Sequence, residues 1–166
     1  MPLSIEQINR FTQGEFTEAV GWVFEHSPWV AERAWHRRPF ASCAHLLERM
    51  NDEVAAASPE EQLALLCAHP DLGTRAKISP SSTSEQAGAG LDRLTTGEYK
   101  RLLDLNNAYR GKFGFPFLYA VKGADKFAIL DALERRLASN PKDEYQEALR
   151  QVYRIARFRL ESLINE

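Results

Sequence analysis

Lys142-Asp143-Glu144-Tyr145-Gln146-Glu147-Ala148-Leu149-Arg150-Gln151-Val152-Tyr153-Arg154-Ile155-Ala156-Arg157-Phe158-Arg159-Leu160-Glu161-Ser162-Leu163 is the stretch whose period decides the fold. Steps of about 100° per residue place Tyr145, Val152, Ala156 and Leu163 on one stripe, as in an amphipathic helix. Arg154 and Arg157 point well away from that stripe and read as solvated charges. Arg159 falls at its border, where a guanidinium costs free energy unless it meets an acid, backbone carbonyls or a ligand. Periodicity leaves open an internal ion pair, a stem that carries the charge out to water, or a ligand contact.

Working outward, the chain offers this helix further helices to pack on. Thr95 and Glu98 have capping-box spacing and open a helix to about Arg110, and another runs from about Asp125 to Ser139. Ser58 as N-cap, Pro59 at the first helical position and Glu61 open a helix with Leu63, Leu66 and Cys67 on its apolar face. Ser82 and Glu85 repeat the capping-box spacing. Nearer the start, Ser4 heads a helix to about Phe11 with a Ser-x-x-Gln cap, and Ser27-Pro28 opens one that Pro39 stops. Phe40, Ala44, Leu47, Met50 and Val54 trace a further stripe, with His45 beside it. The expectation is an all-α, single-domain bundle of about eight helices over residues 1–166, with no convincing strand, repeat or linker.

Three segments do not reduce to helix. Pro70 lacks an amide hydrogen and biases its neighbour away from helical angles, so His69-Pro70-Asp71-Leu72-Gly73 places an imidazole where a helix stops. A lone histidine there is more often a cap or dipole partner than a catalyst. Ser82 to Gln86 precede Ala87-Gly88-Ala89-Gly90, whose glycines weaken a helix and suggest that a helix or ligand approaches the backbone closely. A Ser/Glu/Gln set at a helix start serves equally as a cap and as a cradle for a polar ligand. Phe113-Gly114-Phe115-Pro116-Phe117-Leu118-Tyr119-Ala120-Val121 reads as an extended apolar connector, either a core plug or a pocket wall that presents its backbone.

Taken in order, the His69–Gly73 and Ser82–Leu91 segments, Leu105-Asn106, Lys112–Phe117 and Ile155–Leu160 resemble the OHCU decarboxylases, and Phe24–Glu32 is similar to their bacterial members. These enzymes convert 2-oxo-4-hydroxy-4-carboxy-5-ureidoimidazoline to (S)-allantoin at the end of urate oxidation. The resemblance implies catalytic roles for His69, Glu85 and Arg159, and substrate contacts from Pro70, Ser82, Gln86 and the backbone of Phe117, Leu118, Tyr119, Ala120 and Val121. It also implies a homodimer and no cofactor or metal. The loop between His69 and Ser82 is shorter than in the animal members.

Composition agrees with such an enzyme. With 21 basic and 23 acidic residues and a net charge of −2, nothing suggests a nucleic-acid or anionic-membrane surface. Arg37-Arg38 reads as a solvated pair, His36 as structural or solvated. Cys43 and Cys67 lack metal spacing and read as reduced core thiols, and no run is long enough to span a membrane, so the expectation is cytoplasmic. The final Asn165-Glu166 is not a peroxisomal signal. Two other functions fit the same residues: a hydrolase of a related ureido compound, with His69 activating water, and a non-catalytic helical interaction module.

Overall fold

The computed structural model describes residues 2–74 and 79–165. Nine helices occur among them: α1 (Ile5–Arg10), α2 (Gln13–Val20), α3 (Trp29–Ala34), α4 (Cys43–Ala55), α5 (Pro59–Cys67), α6 (Pro80–Gly88), α7 (Thr96–Phe113), α8 (Lys126–Leu137) and α9 (Pro141–Leu163). Short 3-10 turns follow α2 and α3. No strand forms among the described residues; one isolated bridge joins Leu3 and Ile164. The all-α class expected from periodicity is the class observed. None of the described helices is long and apolar enough to cross a membrane.

The helices fall into two compact units, Met1–Ala68 with Tyr153–Glu166, and His69–Val152. In the first, the Ser4/Gln7 and Ser58/Glu61 capping boxes close as read. A helix not anticipated, α2, starts at a third such box, Thr12 with Glu15. Its signal was a Thr-x-x-Glu pattern one residue after Phe11. On α4 the buried positions are Cys43, Leu46, Met50 and Val54, so the stripe through Ala44 and Leu47 was set slightly out of phase. On α5 the buried pair is Leu65 and Leu66; Leu63 is 43% exposed and Cys67 lies at the surface, which corrects its reading as a core thiol. Asn9 pins the chain ahead of α4 through both ends of its amide, giving to the Phe40 carbonyl at 2.9 Å and taking from the Phe40 N–H at 2.7 Å. Arg37 pairs with Glu53, and Arg38 lies over the Trp35 ring, so neither is simply solvated.

The second unit is built around aromatic rings. Tyr109 of α7 meets Phe113, Phe115 and Phe117 at centroid distances of 4.6, 5.9 and 5.4 Å. Gly114 ends α7 at φ 81°, and Phe115 to Leu118 are buried, so the connector plugs the core as one of its two readings required. The Thr95/Glu98 box starts α7, and the Lys126 ammonium together with the Thr95 amide holds the Glu98 carboxyl below its ordinary range. The phenol of Tyr109 is pushed far upward by burial and by the Glu144 carboxylate to which it donates its hydrogen bond.

Candidate active site

α5 ends at Cys67, and the chain leaves it through Ala68 with His69 only 6% exposed. The loop after His69 is held at successive residues. Asp71 pairs with Arg110 at 3.0 Å, the Leu72 carbonyl accepts from Asn106 Nδ2 at 3.0 Å, and the Gly73 N–H donates to Gln86 Oε1 at 2.8 Å. Gly73 has φ 74°, and a Cβ there would stand 2.3 Å from a methyl of Leu102, so both backbone angle and space require glycine. α6 and α7 therefore fix the backbone on which the imidazole is mounted. Residues 75–78, within the loop read as shorter than in animal members, lie outside the described residues.

α6 begins three residues earlier than its capping pattern suggested. Ser79 is the N-cap, accepting from the Ser82 N–H at 3.2 Å, and Pro80 takes the first helical position. Ser82 and Glu85 thus lie inside the helix and form no capping box, because Ser79-Pro80 is the stronger start. With Gln86 they occupy i, i+3 and i+4, one face of α6, on which Ser82 and Gln86 are buried and Glu85 is half-buried. The glycines are also reassigned. Gly90 at φ 83° ends α6, the Leu91 N–H reaching the Gln86 carbonyl at 3.0 Å and the Gly90 N–H the Ala87 carbonyl at 3.0 Å. Nothing among the described residues stands within 4 Å of a Cβ built at Gly88 or Gly90, so no neighbouring helix approaches them closely, and Gly90 is accounted for by helix termination.

Pro70, Phe117, Leu118, Tyr119, Ala120 and Val121 belong to the same unit as His69, Ser82, Glu85 and Gln86. The Leu118 carbonyl and Ala120 N–H are bonded by Arg136 and Gln151. Arg159 belongs to the other unit. It is 5% exposed and sits inside the buried face of α9, not at its border, because that face takes in Glu144 and Gln151 as well as Ala148, Val152, Ala156 and Leu160. Its Nη1 stands 2.8 Å from Glu25 Oε2. Arg157 is exposed and pairs with Glu161 at 3.0 Å, and Arg154 is exposed, as their phase required. The sequence reading missed Glu25 as the acid facing Arg159, although Glu25 lay in the Phe24–Glu32 segment. It also missed Glu144 and Gln151, which share the buried face of α9 but are invisible to a search for apolar residues. No group of three His, Cys, Asp or Glu residues among those described is placed to hold a metal.

Residues 9–161 match the family model described as OHCU decarboxylase. A 2-oxo-4-hydroxy-4-carboxy-5-ureidoimidazoline decarboxylase of Halalkalicoccus jeotgali is 46% identical over 161 residues, 97% of this chain and 92% of that protein. A uric acid degradation bifunctional protein of Bacillus subtilis is 45% identical over 98% of this chain, which spans 33% of it. Among solved structures, an (S)-allantoin synthase superposes with a TM-score of 0.81 at 33% identity, covering 98% of this chain and 54% of that one. By model, by sequence and by fold, the chain belongs to the OHCU decarboxylase family.

Proposed function

We propose that this chain decarboxylates 2-oxo-4-hydroxy-4-carboxy-5-ureidoimidazoline to (S)-allantoin in urate degradation, with His69, Glu85 and Arg159 as its catalytic residues. The observation that carries the assignment of the site is the buried His69 imidazole on a loop clamped by Gln86 and Asn106, since the clamp ties that loop to the α6 face bearing Ser82 and Glu85.

The substrate is its own electron sink. As CO2 leaves the quaternary carbon, the electrons of the broken C–C bond form a C=C bond to the neighbouring ureido-bearing carbon, and those of the adjacent ring C=N pass to its nitrogen, which is protonated. The ureido-bearing carbon then takes a proton on one face while the enol hydroxyl gives up its own and becomes the ring carbonyl. The protein has to orient the carboxylate, stabilise charge moving onto the ring and deliver that proton. His69 acts as the acid/base group near the hydroxyl and carboxylate, and Glu85 orients the substrate or shares a proton with His69. A tight pair between Arg159 and the departing carboxylate would stabilise the ground state, so the guanidinium is better used on charge developing on the ring or on a carbonyl oxygen. Pro70, Ser82 and Gln86, with the backbone of Phe117, Leu118, Tyr119, Ala120 and Val121, bind the substrate. Gln86 spends its carbonyl oxygen on Gly73, which leaves its amide Nε2 as the donor. From the family resemblance, residues 1–166 act as one domain, in a cytoplasmic homodimer.

Adding purified protein to freshly generated substrate should produce a circular-dichroism signal from one hand of allantoin, because the uncatalysed reaction gives racemate. A signal no different from buffer would sink the assignment. Glu85→Gln separates charge from packing: inside a helix the two residues have similar propensity, so stability should change by less than about 1 kcal/mol. Turnover should fall by about 10²-fold or more, measured by the same signal. A fully active Glu85→Gln protein would remove the carboxylate from the chemistry.

A further inference from the structure

A cluster of buried polar side chains that the mechanism does not use stands behind the connector. Gln151, 5% exposed on α9, accepts from the Ala120 N–H at 2.9 Å and donates through Nε2 to Glu147 Oε1 at 3.1 Å. Both ends of its amide are used, so its orientation is determined. Arg136 of α8 gives Nη1 to the Leu118 carbonyl at 2.5 Å, lies 4.6 Å from the centre of the Phe117 ring, and gives Nε to Glu144 Oε1 at 2.7 Å. The Tyr109 hydroxyl donates to the same Glu144 oxygen. A buried ion pair is often no more stabilising than apolar residues of equal volume, so bundle stability alone does not call for Arg136 and Glu144 here. What the cluster secures is the position of two backbone groups.

Those two groups are Leu118 and Ala120, alternate residues. Where such a chain runs extended, the backbone groups of neighbouring residues point to opposite edges, so the N–H and C=O of Tyr119 are turned away from the edge that Arg136 and Gln151 hold, while the Phe117 ring stays against Arg136. The Val121 carbonyl takes the Ala124 N–H at 2.9 Å. The half-buried Tyr119 makes no backbone hydrogen bond to any described residue. With no neighbour taking them, the N–H and C=O of Tyr119 are a donor and an acceptor open to a ligand.

We propose that Gln151 and Arg136 are positioning residues: they grip the connector at Ala120 and Leu118 so that the amide and carbonyl of Tyr119 are held toward the substrate. The inference rests on the decarboxylase reading and on the connector as part of the substrate site. It assigns the reading of the substrate to one edge of the connector and the holding of that edge to the other.

Gln151→Leu keeps bulk and removes the acceptor. With folding checked by far-ultraviolet circular dichroism, its KM for the ureidoimidazoline should rise by about tenfold, the worth of one hydrogen bond. Its kcat should change by less than about threefold, because binding common to ground and transition states is what is lost. Amide exchange at Ala120 should also be faster than in the unaltered protein. Gln151→Glu combined with Glu147→Gln restores an acceptor for Ala120 and a donor to face it, and should bring KM back to within about threefold of the starting value. A Gln151→Leu protein that melts earlier but keeps its KM would show that the contact serves stability alone and would overturn the proposal. An unaltered protein with no turnover would instead remove the decarboxylase reading, and this role with it.

Discussion

His69→Asn should lower stereospecific decarboxylation by about 10²–10⁴-fold, the usual cost of losing a positioned acid or base. The folded state should survive. The loop carrying His69 is held by Asn106, Gln86 and Arg110 through Leu72, Gly73 and Asp71, and none of these contacts uses the imidazole. A loss within the common range of about 0.5–3 kcal/mol is expected for a buried side chain. Melting temperature and initial rate, measured on the same preparation, separate the two effects. A His69→Asn protein that keeps most of its turnover would take His69 out of the mechanism. One that loses turnover only in proportion to unfolding would leave His69 a structural role alone, whereas an unaltered protein with no turnover to lose would favour the non-catalytic interaction module. A hydrolase would also lose activity, but the missing product would then not be CO2, so CO2 release is followed alongside allantoin.

How much of this could be read from the chain follows from what each signal depends on. Capping boxes are local, and those at Ser4, Ser58 and Thr95 close within three residues, so they could be read directly. At α6 two local signals competed: Ser79-Pro80 and Ser82–Glu85 both look like a start, and the earlier one prevails because proline at the first turn sacrifices no hydrogen bond. The apolar phase placed Arg159 within a residue of its true face but drew the stripe through Tyr145 and Leu163, because counting only apolar residues omits Glu144, Gln151 and Arg159. Buried polar residues with long-range partners are the part that a local reading cannot supply. Gln151 meets Ala120 31 residues away, and Asn106 meets Leu72 34 residues away. No periodicity encodes such pairs.

Arg159→Lys tests whether the buried guanidinium acts in the chemistry or only closes an internal pair. Lysine keeps the charge and can still face Glu25, which spares the fold an unpaired buried carboxylate. It loses the planar fork able to grip two oxygens at once. If Arg159 stabilises charge developing on the substrate, Arg159→Lys should lower kcat by about 10²-fold, in line with removing one preorganised donor. If Arg159 serves only Glu25, the variant should melt earlier and keep its kcat. Arg157→Lys and Arg154→Lys, both at exposed positions of α9, provide the control and should stay within about twofold of the unaltered rate, because surface substitutions act weakly. A structure with a bound product analogue decides the matter geometrically: Arg157 at the ligand with Arg159 held only by protein groups such as Glu25 and the Trp22 carbonyl would overturn the assignment, whereas a guanidinium contact from Arg159 would make the Glu25 pair the means by which the fork is kept aligned when no substrate is bound.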